Sequence, residues 1–411
     1  MVAIMTQLDE AASKRITEYF NTTIGKHLRR SDQRASYATY AFGILTDGDR
    51  KSVEPIAARA CADEEECERV HDRLLHFVRE GAWDDHDVRL AAAKYVIGAL
   101  SSRERVTTWI IDDTGMLKQG SQSPGVQRQY TGSAGKIANC QLAVSLSIAT
   151  ATEQVPIDMA LYLPESWTND PQRRARARIP ESATFKTRIE LALDLIERAV
   201  HQQLPGEVVL ADSAYGRSHL FRDVVRLYGL DYAVAVDAGA HVWLVDKAER
   251  RHGEAKSVQE LGVALGEKAF RKITWRNGTQ RGLSSRFLFR RIKPAHENGL
   301  EVSLREPVWL VMEWPQGESR PTKFFFTSLR RRMSKKQIVR IIKERWKTER
   351  VYEELKGELG FDHFEGRSFT GWHHHVSVVL SCYAFLVAEK SRAFPPSAER
   401  ADRVRSLQIA A

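Results

Sequence analysis

Apolar positions recur at helical spacing through the first hundred residues, in Ile56, Ala57 and Ala60 and again in Val70, Leu74, Leu75 and Val78. A turn at 48–52 and Pro55 beside a helix start punctuate this stretch. The period changes at residue 106. Val106-Thr-Thr-Trp-Ile-Ile-Asp-Asp113 is β-branched and apolar and predicts a buried strand. A glycine-rich loop is expected from Gly115 to Gly135, then strands over 142–149 and 155–163. Residues 182–203 carry Ile189, Leu191, Leu193, Leu195, Ile196 and Val200, a broad helical face. A short apolar run, 207–211, ends in Asp212; 217–229 predicts a helix and 232–236 a strand. This order describes an α/β core with a mixed sheet. From 237 to about 330, strand-like runs alternate with turns, at 242–245, 270–275, 285–292, 307–314 and 323–328. A long helix is expected over 335–357, a last one over 372–390, and a frayed tail beyond. The expected division is therefore a helical N-terminal domain 1–105, a core begun by 106–236, a β-rich insertion 237–330, the rest of the core 331–392 and a tail 393–411.

Composition narrows the class. Of 411 residues, 43% are hydrophobic and 28% charged, which is globular rather than disordered. No run approaches the roughly 18 apolar residues of a membrane span. Asp9, Glu10, Lys14, Arg15 and Glu18 interrupt any leader-like apolar run, so a soluble cytoplasmic protein is expected. Four scattered cysteines, Cys61, Cys67, Cys140 and Cys382, predict neither a disulfide framework nor a zinc site, but reduced thiols. The net charge of +9 favours a polyanionic partner. The first 105 residues hold 16 Lys/Arg against 18 Asp/Glu, so the surplus lies further on.

Three acidic positions stand where elements would present them. Asp112 and Asp113 end the first strand, Asp212 ends a later one, and Glu349 lies in the long helix. Carboxylates brought to one pocket repel each other unless a divalent cation neutralises them, and hard oxygen ligands with open positions suit Mg²⁺. Two such ions can activate a nucleophile and stabilise the leaving oxygen of a phosphodiester. On a continuous helix, Arg345, Glu349 and Lys356 would share one face, a carboxylate flanked by two phosphate-binding cations.

With these residues in view, the chain resembles the DDE (Asp-Asp-Glu) transposases of bacterial insertion sequences, in particular the subgroup with a Tyr-Arg-Glu-Lys signature and a β-stranded insertion. Arg345, Glu349 and Lys356 fit that spacing, whereas Ile342 stands at the Tyr position. Asp-Asp-Thr-Gly (112–115), Gly-Val-Gln-Arg-Gln-Tyr-Thr-Gly (125–132), Asn139-Cys-Gln141, Ala211-Asp-Ser-Ala-Tyr-Gly216 and residues 50–57 look like the same group, so the likeness covers about residues 40 to 390. The resemblance implies an RNase H-like core, α/β with a mixed sheet. It implies Asp113, Asp212 and Glu349 as catalytic ligands of two Mg²⁺ ions, with Mn²⁺ able to substitute. It favours Asp113 over Asp112, because the family's first Asp precedes a Thr. It further implies that Arg345 and Lys356 position DNA-end phosphates, that the ends are cut and the 3′-OH joined to target DNA, and that a homodimer acts on double-stranded terminal repeats. The protein would then be cytoplasmic and associated with the nucleoid when bound to DNA. Two other classes stay open: a catalytically silent DNA-binding derivative, and a nuclease of the same fold that does not join strands.

Other features have plainer readings. Arg128 and Lys136 either track a DNA backbone or sit in a solvated loop. Gly132-Ser-Ala-Gly-Lys136 lacks the first glycine and the Ser/Thr of a phosphate loop. His373-His-His375 cannot converge on one point from a helix, and a surface or cap role is expected. Trp309 and Trp314 are candidates to stack on an unpaired base. Residues 52–78 are a candidate helix-turn-helix, although its second helix begins with acids rather than the usual bases or amides.

Overall fold

The computed structural model describes residues 10–277, 282–295 and 306–393, so the expected tail lies outside it. Its contacts fall into two compact units: 1–106, 113–195 and 347–411 form one, and 107–112 with 196–346 the other. Among the described residues no helix is long and apolar enough to cross a membrane.

The first unit opens with helices α1 (Glu10–Glu18), α2 (Ser31–Leu45), α3 (Val53–Arg59), α4 (Glu64–Glu80) and α5 (Asp85–Ser101). Acids cluster at two of these helix starts. Asp63 accepts the Glu66 backbone N–H, and Asp84 accepts those of His86 and Asp87. Acids in a first turn also complement the positive end of the helix. Cys61 and Cys67, expected as thiols, are joined across the α3–α4 turn by a disulfide with Cα atoms 5.2 Å apart. Sequence spacing alone did not disclose that the turn folds these two Cβ atoms towards each other.

Strand β1 (Thr108–Leu117) belongs to the second unit up to Asp112 and to the first from Asp113. The first unit continues with β2 (Gln127–Thr131), β3 (Lys136–Ala149), β4 (Gln154–Leu161), α6 (Glu165–Thr168), α7 (Pro171–Ala177) and the start of α8 (Arg188–His201). The expected loop 115–135 is thus partly strand: β2 and β3 form an antiparallel hairpin and β4 pairs with the remainder of β3. The helix predicted from 182 begins only at Arg188.

In the second unit, β5 (Val208–Ala211), α9 (Ser213–Gly216), α10 (His219–Leu227), β6 (Asp231–Val236), β7 (His241–Val245), β8 (Arg251–Ser257), α11 (Val258–Leu265), β9 (Arg271–Asn277), β10 (Gly282–Pro294), β11 (Val308–Trp314), β12 (Lys323–Thr327) and α12 (Lys335–Ile342) follow. Strands lie in the order β1-β5-β6-β12-β11-β10-β7-β8, with β9 also on β10. The β1/β5 and β5/β6 pairs are parallel; β6/β12 and those beyond are antiparallel. The sheet is mixed, as an RNase H-like α/β fold requires, and the described residues of 237–330 fold mostly as strands, with α11 among them.

The chain returns to the first unit with α13 (Lys347–Gly357) and α14 (Phe369–Ala393). Nearly all of α14 is buried, among α2, α4, α5 and β4. Its polar groups are paired accordingly. The Ser381 hydroxyl accepts from Tyr37, and the Ser381 carbonyl accepts from Tyr19. Arg89, only 1% exposed, donates to Asp158 at 2.8 Å, Asp85 at 2.5 Å and the Ser377 hydroxyl at 2.6 Å. Of the three histidines, His373 is half-buried and the other two are buried rather than surface groups. His374 stacks on Trp83 and faces the Val78 and Trp83 carbonyls, and His375 bridges Gly360 and Tyr40.

Candidate functional site

The long helix predicted over 335–357 is interrupted by a tight 3₁₀ turn at Lys343–Trp346. Tertiary partners account for the break. Lys343 reaches the buried Glu313 at 2.5 Å and lies over the Trp275 ring, and Arg345 donates to Asp112 at 3.0 Å. Irregular turns of this kind occur where side chains are drawn out of helical register. Arg345 thus lies in the 3₁₀ turn, outside the helix that carries Glu349 and Lys356. Glu349 and Lys356 are seven residues apart on α13 and keep nearly the same azimuth.

In the first unit α13 is fastened along its length. Lys347 donates to the Thr150 carbonyl at 2.6 Å, Thr348 exchanges bonds with Gln154, Tyr352 bonds Ser145 at 2.6 Å, and Lys356 donates to the Gly115 carbonyl and the Ser133 hydroxyl, both at 2.7 Å. Burial lowers the Lys356 pKa, and it lowers that of Lys118 to about 8, against the pull of Asp362 and Glu365. Lys118 donates to the Asp362 and Phe364 carbonyls in the loop that follows α13. Two lysines thus tie the far end of that helix to the strand bearing Asp113. Gly115 is required where this happens, because a Cβ there would fall 1.9 Å from the Thr131 hydroxyl.

Against these fastened neighbours, Glu349 is exposed and makes no hydrogen bond or ion pair among the described residues. Asp113 is 23% exposed and accepts from Arg188 at 2.8 Å. In the second unit, Ile110 pairs with Leu210, so Asp112 and Asp212 each stand two residues beyond the last paired position of two parallel strands. Asp212 caps α9, one oxygen accepting the Ala214 N–H at 2.9 Å. Among the described residues no three His, Cys, Asp or Glu side chains are grouped to hold a metal ion. Asp112 and Asp113, expected to end the first strand, lie within β1, which runs on to Leu117; like Asp212 and Glu349 they offer hard oxygen donors of the kind Mg²⁺ takes.

Arg128 and Lys136 are exposed on the β2–β3 hairpin. Trp314 is buried and bonds the Glu318 carbonyl, and Trp309 is half-buried under Arg291, so neither offers the open ring that base stacking needs. Sequence reasoning missed Arg188, Lys118, Ser133 and Tyr352. The visible hint was Lys118, five residues beyond Asp113 and one past the end of β1.

The chain is 25% identical over 353 residues to the probable transposase for insertion sequence element IS701 from Microchaete diplosiphon, covering 86% of this chain and 82% of that one. A family model described as DDE superfamily endonuclease matches residues 23–282, a span that holds Asp112, Asp113 and Asp212 and stops short of Glu349. With more than half its length matched, the chain belongs to the DDE superfamily endonucleases.

Proposed function

We propose that the protein is an insertion-sequence transposase in which Asp113, Asp212 and Glu349 hold two Mg²⁺ ions against a DNA phosphate. The observation that carries this reading is Glu349: an exposed carboxylate without a partner among the described residues, on the helix that Thr348, Tyr352 and Lys356 bond to β4, β3 and β1. Lys356 meets Gly115, two residues past Asp113, and so brings the face that also bears Glu349 to that strand. The β1/β5 register sets Asp212 level with Asp112, which keeps Asp112 as the alternative first ligand beside Asp113. When bound, the ions activate water and stabilise the departing 3′ oxygen. The chain's own residues orient. Asp212 is held by its cap, Asp113 by its strand, and Glu349 by the pinned helix. Arg345, beside Asp112, and the exposed Arg128 and Lys136 supply cations for DNA phosphates. Lys356 contributes mainly as a fastener, since its amine is engaged within the protein.

Cutting each transposon end and joining the 3′-OH to target DNA fits a homodimer on two terminal inverted repeats, in the bacterial cytoplasm at the nucleoid. The division into an N-terminal helical domain, a split core and a β-rich insertion is part of the same reading. End cleavage with Mg²⁺, by the wild type and by Asp212→Asn, tests it. Asparagine still caps α9, so the fold survives. Loss of cutting is expected, and undiminished cutting by the variant refutes the assignment. A strand-transfer assay with pre-cleaved ends separates a transposase from a plain nuclease.

A further inference from the structure

From Thr114 to Thr152 the chain contains no aspartate or glutamate, although acids make up 53 of its 411 residues. Within this acid-free stretch, β2 and β3 pair from Gln127↔Cys140 to Thr131↔Lys136 and are joined by a turn at 132–135. Gly135 has a φ of +62°, which such a turn requires of glycine. The register sets Tyr130 opposite Ile137 and Arg128 opposite Asn139, and strand alternation puts all four on one face. Tyr130 is 65% and Ile137 59% exposed, an unusual pair of open apolar side chains. Arg128 and Lys136 are exposed, and neither makes a hydrogen bond or ion pair among the described residues. The ribbon is also held firmly. Ser133 at its tip donates to the Gly115 carbonyl at 3.0 Å and accepts from Lys356, and Asn139 donates to the carbonyls of Lys118 and Gly120.

We propose that this ribbon enters a groove of duplex DNA, with Tyr130 and Ile137 laid against base edges and sugars and Arg128 and Lys136 on the flanking phosphates. The proposal rests on the transposase reading and adds the element that meets the duplex beside the candidate site. A two-stranded ribbon matches the width of the major groove. Exposed cations in an acid-free stretch of sequence suit a polyanion. Two apolar side chains are far too little surface for a stable protein interface, which buries on the order of 800 Å² per partner.

The test is binding of a linear duplex of mixed sequence to the full-length chain across a salt series. Replacing both cations, Arg128→Ala with Lys136→Ala, should lower the salt slope of the affinity by about two. Tyr130→Ala with Ile137→Ala should weaken binding roughly fivefold at an unchanged slope, with Tyr130→Phe restoring most of it. All four side chains are exposed, so thermal unfolding should not move. An unchanged slope in the cation variant, or an apolar variant that alters self-association without DNA instead of affinity for DNA, overturns the proposal. Wild-type cutting with ribbon variants that bind and cut equally well removes the ribbon and leaves the transposase reading. Weakened binding by the variants of a wild type that never cuts supports the ribbon's DNA contact and removes that reading.

Discussion

Each aspartate in the middle of β1 accepts from an arginine: Asp113 from Arg188, and Asp112 from Arg345. Alternation along a strand sends adjacent side chains to opposite faces, so the two pairs are separate devices. A cation bound at Asp113 must compete with the Arg188 guanidinium. Arg188→Gln should therefore lower the Mg²⁺ concentration for half-maximal cutting by about two- to fivefold, the size expected of a half-exposed ion pair. A titration of cutting against Mg²⁺ reads this directly. A midpoint unmoved by Arg188→Gln but displaced by Arg345→Gln assigns the metal to Asp112. Glu349→Gln should abolish cutting while leaving thermal stability unchanged, because no folded-state bond is lost. These acids were legible in the sequence from strand endings and from the resemblance. Their arginine partners were not, because Arg188 is 75 residues from Asp113 and Arg345 is 233 from Asp112, and no local pattern encodes such pairs.

Helix α14 shows how an element can be predicted in position and misjudged in role. Its extent was foreseen within a few residues, but the run Trp372-His-His-His375 was expected at the surface or as a cap. Polarity misled because backbone carbonyls and hydroxyls of other elements meet these rings inside the fold. His375 donates through Nε2 to the Gly360 carbonyl at 3.1 Å, which leaves Nδ1 to accept from Tyr40 at 2.9 Å, a pairing that needs the neutral ring. Gly360 itself has a φ of +63°, and a Cβ there would lie 2.4 Å from that of Lys51. Burial lowers the pKa of His373 and of His375 to about 4; Asp85 pulls His373 back up, while Arg89 and His86 push it down. Both folded values lie below the ordinary 6.5, so protonation favours the unfolded chain. Stability from these rings is complete above about pH 6.5 and is lost as pH falls towards 4, which urea unfolding at a series of pH values measures. A flat profile across that window contradicts neutral buried rings. On the same helix pair, Arg89→Met strands Asp85 and Asp158 without a buried counter-charge and should cost about 3 kcal/mol, read as a lower urea midpoint.

Across the whole chain the charge is distributed very unevenly. Residues 237–346 hold 24 Lys/Arg and 12 Asp/Glu, a surplus greater than the protein's net +9, so the remainder is slightly acidic. The sequence reading had already located the surplus beyond residue 105; a finer count puts it in the insertion, the 3₁₀ turn and α12. Many of these cations are exposed, including Arg330, Arg332, Lys335 and Lys336, whereas in the N-terminal domain Arg69 and Arg79 are paired with Glu65 and Glu80. Counter-ion release makes the affinity of each phosphate-bound cation visible in the salt slope, while a cation already paired with a carboxylate displaces little. Removing Arg330, Arg332 and Lys336 together should lower the salt slope of duplex binding by between two and three. Removing Arg30, Arg69 and Arg79, each paired with an acid, should change it by less than about one, although the net charge of the protein falls equally in both variants. If the two triple variants shift the slope alike, affinity follows total charge rather than its placement. The insertion would then be a structural element of the sheet and not the surface that receives DNA.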